Sequence, residues 1–284
     1  MRITLPADNA EHILSHISYY QLAEYWQPDQ DPDSNKHFKP GSKFSDAIAL
    51  YNFDRKLRAV LFDILGRIET SLRSKMIYHL SQEHDPWWFE TEDLFYDKDD
   101  FEHALYTIRG AVNRTGSGLI KAHQEKYDKD DRLPPAWKTL ELVSLGSLAR
   151  IYDNLDNGRN KSKNVIAEEW GLGNHTYVSD WLQSITQVRN ICAHYERLWN
   201  RRLSAAPLLP KQLPDPWIKN LPAESDKLYL HLCCVKYVLN RVHPENSFTQ
   251  SLQNLFSEYP RLNILLMGFE KGWDKEALWH SDNT

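Results

Sequence analysis

The amino-acid sequence predicts an all-α fold built as a single compact domain. Three observations carry this. Apolar residues recur at three- and four-residue spacing through most of the chain, the period of helices that bury one face. No stretch alternates apolar and polar residues well enough to read as a strand, and no internal repeat is present. With 41% hydrophobic residues, the 284-residue chain can close a core over its whole length, 1–284, without disulfides or metals.

Taken in order, SYYQLAEYW is a short aromatic helix, followed by DQDPDSNKHFKPGS, a polar loop holding proline and glycine. A long amphipathic helix is expected over residues 44–80. Leu57, Leu61, Ile64, Ile68, Leu72 and Met76 lie along one face of it, and Ser45 or Asp46 stands ready to cap it. The next helix carries Phe101, Leu105, Ile108 and Val112. Another enters at Pro134-Pro135 and runs from Trp137 through Leu140, Leu145, Leu148 and Tyr152 to Leu155. The short helix NVIAEEWGL stops at Gly171 and Gly173, where left-handed backbone is cheap. A second long helix follows from about Tyr177 to Asn200, within a motif region spanning 177–202. Pro207, Pro210, Pro214, Pro216 and Pro222 make 204–225 an irregular crossover. Residues 226–284 resume the helical pattern: Leu228, Leu232, Val235, Leu239 and Val242 form a stripe, and Phe248, Leu252, Leu255 and Phe256 begin a last helical pair.

The start, MRITLPADNAEHILSH, has no long apolar run after its positive residue and reads as neither a signal peptide nor a membrane anchor. That places the protein in the cytoplasm, away from membranes. Cys192 stands alone, and the neighbours Cys233 and Cys234 have neither bridging nor CxxC metal spacing, so all three are expected to be reduced. A formal charge of −5 argues against a protein that coats nucleic acid nonspecifically. A local basic site is present all the same, because Arg189, Arg197, Arg201 and Arg202 share a segment whose one acid is Glu196. Charge clusters of this kind are usually solvated faces.

On a straight helix at about 100° per residue, Trp181, Ile185, Val188, Cys192, Tyr195 and Trp199 fall on one line, which reads as core or an oligomer seam. The opposite face carries Gln183, Gln187, Asn190, His194, Arg197 and Arg201. A histidine lining a cleft there exchanges protons near neutral pH, while guanidinium groups hold a phosphate bidentately. Arg189 lies about 140° around the helix from His194. Three arrangements answer this: the helix bends near Asn190, both side chains lean into one groove, or a second copy of the chain completes the site. The third leads to an expected homodimer, whose two-fold interface pairs Arg189 of one copy with His194 of the other.

The string Arg189-Asn-Ile-Cys-Ala-His194 resembles the Arg-x4-6-His signature of HEPN ribonucleases, including the polar residue after the arginine. The wider segment RNICAHYERLWNR is similar to the one that marks the Abi abortive-infection family, the AbiD and AbiF type of bacterial phage-defence protein. YYQLAEYW, FDRKLRAVLFDILGRIETSLRSKMIYHL, the PPAW to LGSLARIY stretch and MGFEKGWDKEALW agree in order. The family leads one to expect some tens of residues before SYYQLAEYW, and fewer are present. The resemblance implies a HEPN-type helical bundle with additional helices. In active members it also implies cleavage of single-stranded RNA without metal or other cofactor, with His194 as general acid or base and Arg189 stabilising the phosphorane. Asn190 would orient His194 or bind phosphate; Arg197 and Arg201 would contact RNA or form a plain basic face. A noncoding RNA or an antitoxin is a further possible partner.

A second Arg-x5-His string runs from Arg73 to His79. His79 returns to the apolar line of its helix, and Glu69 and Arg73 have ordinary i, i+4 ion-pair spacing, so a structural role is favoured there. His84, Asp85, Pro86, Trp87 and Trp88 offer no HxxxH, HExxH or paired CxxC cage for a metal. Phosphate-binding loops, Rossmann glycines and GxSxG elbows are missing, which leaves nucleotide hydrolysis and serine esterase chemistry unsupported. Two classes remain: a ribonuclease of a defence system, and a non-catalytic RNA- or protein-binding module on the same scaffold.

Overall fold

The computed structural model describes residues 7–26, 30–31, 34–204 and 206–280, so the first six residues of the start and part of the polar loop lie outside the described ones. The chain enters through α1 (Ala7–His16) and α2 (Tyr19–Trp26). The loop expected between α2 and the long helix contains an antiparallel pair instead, β1 (Gln30–Asp31) with β2 (Ser34–Phe38). Pairing of so few polar residues carries no alternating pattern for a sequence reading to detect.

The long helix α3 (Phe44–Glu83) then runs 40 residues without a break. Its stripe from Leu57 to Met76 is buried as its spacing demands. Lys43, not Ser45 or Asp46, occupies the N-cap; Asp46 sits in the first turn, where a carboxylate suits the positive end of the helix dipole. At the far end Glu83 accepts hydrogen bonds from the Lys161 and Ser162 backbone N–H groups, 2.8 Å each, which ties α3 to the start of α8 (Ser162–Glu169).

Between them lie α4 (Lys98–Arg114), α5 (Gly118–Lys126), α6 (Ala136–Thr139) and α7 (Leu145–Asn154). The single helix expected from Trp137 to Leu155 is thus broken after the turn Leu140–Leu142. Two contacts enforce the break. Ser144 caps α7 by accepting from the Ser147 N–H, and Arg73 of α3 reaches over to the Leu140 and Val143 carbonyls at 3.0 and 2.9 Å.

Helix α9 (His175–Ala193) packs against α3, α7 and α8, and α10 (Leu228–Val242) lies against both α3 and α9. The chain between α9 and α10 is irregular apart from turns. After α11 (Phe248–Glu258) the last helical pair does not form; short turns at Ile264–Met267, Trp273–Lys275 and Ala277–Trp279 take its place. One apolar cluster extends from Phe53 to Trp279, and α2 covers the first turns of α3 with a smaller one around Leu22, Tyr25, Trp26 and Phe44. The fold is therefore all-α in a single domain, with one short hairpin. Among the described residues no helix is long and apolar enough to cross a membrane.

Candidate functional site at the end of helix α9

Helix α9 stops at Ala193, seven residues before the expected end at Asn200, and the stop defines the site. Trp181, Ile185, Val188 and Cys192 are buried as that line requires, but Tyr195 is 70% exposed. The Tyr195 N–H bonds to the Cys192 carbonyl and the Glu196 N–H to the Ile191 carbonyl, the paired bonds of a Schellman turn. Tyr195 takes the left-handed conformation that such a turn needs, with φ 58°, although glycine usually fills this place. Asn200, with φ 51°, is the only other non-glycine residue with positive φ among the described residues.

Strained backbone of this kind persists where the surroundings over-determine it. Here Asp54 of α3 does so. Its carboxylate, fully buried, accepts from the Leu198 N–H at 3.0 Å, the Trp199 N–H at 2.7 Å and the Tyr25 hydroxyl at 2.7 Å, and it pairs with Arg58. Arg58 also donates to the Glu196 carbonyl at 3.1 Å. Burial pushes the Asp54 carboxyl above the usual carboxylate range, opposed by Arg58 and the three donors. This cluster holds residues 196–199 against α3, and so fixes the loop that follows His194. The sequence signal for it was the i, i+4 pair Asp54 and Arg58 inside FDRKLR, with Arg58 next to the core position Leu57.

His194 is the C-cap of α9, bonded to Asn190 through its backbone N–H at 2.9 Å. Its side chain is exposed and makes no hydrogen bond to another described residue. Arg189 points elsewhere. Its Nε lies 3.6 Å from a Glu69 carboxylate oxygen, and its guanidinium sits over the half-exposed Phe62 ring at 5.8 Å from the centroid, both on α3. Helix α9 is unbroken through Ala193, so no bend near Asn190 brings Arg189 and His194 together, and neither lines the groove between α4, α7 and α9.

The other arginines of the segment are also engaged. Arg197 donates to the Glu24 carbonyl in the last turn of α2 and lies 3.8 Å from the Glu24 carboxylate. Arg201 holds Glu196 at 2.6 Å, and Arg202 pairs with Glu224 and, at 2.6 Å, with Asp226. The straight-helix placement of Arg197 and Arg201 beside His194 is corrected accordingly, since both lie beyond the turn. The basic run of the sequence is neutralised in space by acids mostly remote in the chain, which no local reading could find.

Arg73 and His79 are accounted for by packing. Arg73 clamps the two carbonyls of the α6–α7 break and pairs with Glu69 at 2.9 Å; His79 lies 3.1 Å from Glu169. Glu69 thus stands between Arg73 and Arg189. Cys192 is buried beside this site and its thiol is pushed up to about 12 by burial, which leaves it unreactive at neutral pH. Among the described residues no cluster of three or more His, Cys, Asp or Glu side chains is placed to hold a metal ion.

A groove of about 760 Å³ opens on the other side of α9, between α4, α7 and α9. Gln183, Gln187 and Asn190 line it from α9, and Glu196 and Arg201 close one end. His194, the C-cap, follows Asn190 by about one helical turn.

Comparison with known proteins gives one match: a family model described as Abi-like protein matches residues 12–200, from α1 through the loop after His194. No curated protein and no solved structure matches the chain.

Proposed function

From the premise that this chain belongs to the Abi-like protein family, which suggests a role in abortive-infection defence against phage, we propose that it is a metal-independent endoribonuclease acting on single-stranded RNA. The observation that carries this is the state of His194. It ends a core helix at a turn held in strained backbone by a buried ion pair, and yet its own ring is exposed and hydrogen-bonded to no other described residue. A structure that fixes a histidine so firmly and leaves it uncommitted supports a role in proton transfer.

In the proposed reaction the imidazole of His194 takes the proton of a ribose 2′-hydroxyl, and the 2′-oxygen forms a bond to the adjacent phosphorus. The bond from phosphorus to the 5′-oxygen breaks, and that oxygen leaves with a proton from a second acid or water. The products are a 2′,3′-cyclic phosphate and a 5′-hydroxyl. Arg189 stabilises the phosphorane charge. Because Arg189 faces α3 and His194 the groove side, a homodimer supplies Arg189 from one copy and His194 from the other.

The test is labelled RNA in excess chelator. Wild type cuts; His194→Ala and Arg189→Ala do not; and an equimolar mixture of the two variants, after subunit exchange, regains part of the activity through hybrid dimers. Cleavage that vanishes with chelator or persists in His194→Ala refutes the mechanism, and two inert variants that never complement refute the shared site. A second reading, a non-catalytic RNA- or protein-binding module, is favoured by one observation: all four arginines of the segment lie against carboxylates. It wins if wild type binds RNA under every condition without cutting it.

A further inference from the structure

The groove between α4, α7 and α9 differs in character from the segment of paired arginines. Its lining brings together side-chain amides from α9, hydroxyls such as Thr107 of α4 and Ser147 of α7, the charged groups of Arg150, Asp153, Glu196 and Arg201, and some apolar surface. An amide side chain offers two N–H donors and a carbonyl acceptor in one plane, which matches the donor and acceptor pattern on the edge of a nucleobase. Unpaired bases expose those edges; paired ones do not.

Three further observations sharpen the picture. The amides of Gln183 and Asn190 make no hydrogen bond to any described residue, whereas Gln187 already accepts from the Ser204 N–H at 3.3 Å. Thr186 also lines the groove, and its buried hydroxyl makes no hydrogen bond to any described residue. Arg150 of α7 is exposed on the groove wall, and no carboxylate of a described residue lies at ion-pair distance from it, unlike every arginine from Arg189 to Arg202. A free guanidinium beside free amides is the combination that grips a phosphate and reads a base. Gln183, Gln187, Asn190 and His194 follow one another along a single helix face, spanning ~16 Å at 1.5 Å per residue.

We infer that this groove is the substrate-selecting subsite for unpaired RNA: Arg150 binds a backbone phosphate, Gln183 and Asn190 hydrogen-bond base edges, and the strand so held continues past Asn190 to His194 at the end of α9. The inference rests on the ribonuclease reading and deepens it, since it makes cleavage base-selective and locates the selectivity on α7 and α9, away from Arg189.

The experiment uses the full chain carrying His194→Ala, so that RNA is bound but not cut, and a fluorescent random-sequence single-stranded 12-mer as probe. Adding Arg150→Ala weakens binding roughly tenfold and lowers the salt slope by about one, as loss of one phosphate contact does. Adding Gln183→Ala weakens binding severalfold with no change in salt slope. Arg261→Ala, an exposed arginine on a remote surface, serves as control and leaves both unchanged. In the background with His194 intact, Gln183→Ala redistributes the positions cut in a defined RNA. Unfolding midpoints of all variants match wild type, because the substituted side chains are exposed. If the groove variants bind like the control and cut at wild-type positions while chelator-resistant cleavage persists, the groove assignment is overturned and the ribonuclease reading stands; if wild type neither cuts nor binds RNA, both fall.

Discussion

Replacing Asp54 with alanine tests the claim that a buried ion pair, and not helix propensity, sets the end of α9. The carboxylate is fully buried, pairs with an Arg58 that is 4% exposed, and accepts from two backbone N–H groups and the Tyr25 hydroxyl. Removing one partner of a buried pair strands the other charge, at about 3–5 kcal/mol. Each N–H left without a partner adds about 1–3 kcal/mol, partly offset as water or the chain relaxes around it. A net loss of about 5 kcal/mol is expected, a large share of the ~5–15 kcal/mol by which native proteins exceed their unfolded state. With a urea slope of about 3 kcal/mol per molar, the midpoint falls by ~1.5 M. Pairing the change with Arg58→Met removes the stranded charge, and the double variant recovers at least about 2 kcal/mol over Asp54→Ala. A midpoint shift below ~0.5 M, or a double variant no better than the single one, refutes the reasoning.

Two further outcomes follow from the same kind of contact. His231 is fully buried with its Nδ1 on the Ser184 hydroxyl at 2.6 Å, and burial lowers it to about 4 from the ordinary 6.5. The unfolded chain therefore binds the proton first: the stability from keeping this ring neutral is complete above the unfolded value, and it is lost as pH falls toward the folded one, by about 3 kcal/mol in all. Urea titrations at pH 7 and pH 4.5 show this acid loss in wild type and a smaller one in His231→Gln; equal losses refute it. Arg73→Lys loses about 2–3 kcal/mol, because a point-charged ammonium cannot span the Leu140 and Val143 carbonyls and Glu69 as the guanidinium fork does; an unchanged thermal midpoint refutes that.

The elements legible in the sequence are those whose formation is decided locally. Helix α3 was plain because Leu57 to Met76 repeat along one face for five turns, and α4 because Phe101, Ile108 and Val112 do the same behind the cap of Asp97. The end of α9 was not legible. Tyr195 and Trp199 continue the apolar line, no glycine or proline marks the stop, and what ends the helix is a carboxylate some 140 residues upstream. The break before α7 escaped for a related reason, since the clamp comes from Arg73 of another helix. Short α1 and α5 bury too few residues to leave a period. At the site, the polar face Gln183, Gln187 and Asn190 was readable from spacing alone, whereas the pairing of Arg189 with Glu69 needed the fold.

On the ribonuclease reading proposed above, that pairing bears on how the activity is kept quiet. Glu69 faces two arginines, yet Arg73 has two carbonyls besides, whereas among the described residues Arg189 has the carboxylate at 3.6 Å and the Phe62 ring. Of the two contacts to Glu69, the one to Arg189 is the longer, and Arg189 is the more exposed at 24% against 10%. At that separation the contact is an ion pair without a hydrogen bond, so a phosphate that binds the guanidinium bidentately can replace Glu69 while Arg73 holds Glu69 in place. On the proposed reading, Arg189 is therefore held near its working position in the absence of RNA and released by the substrate itself, and the barrier to activity lies in bringing Arg189 and His194 of two chains to one phosphate.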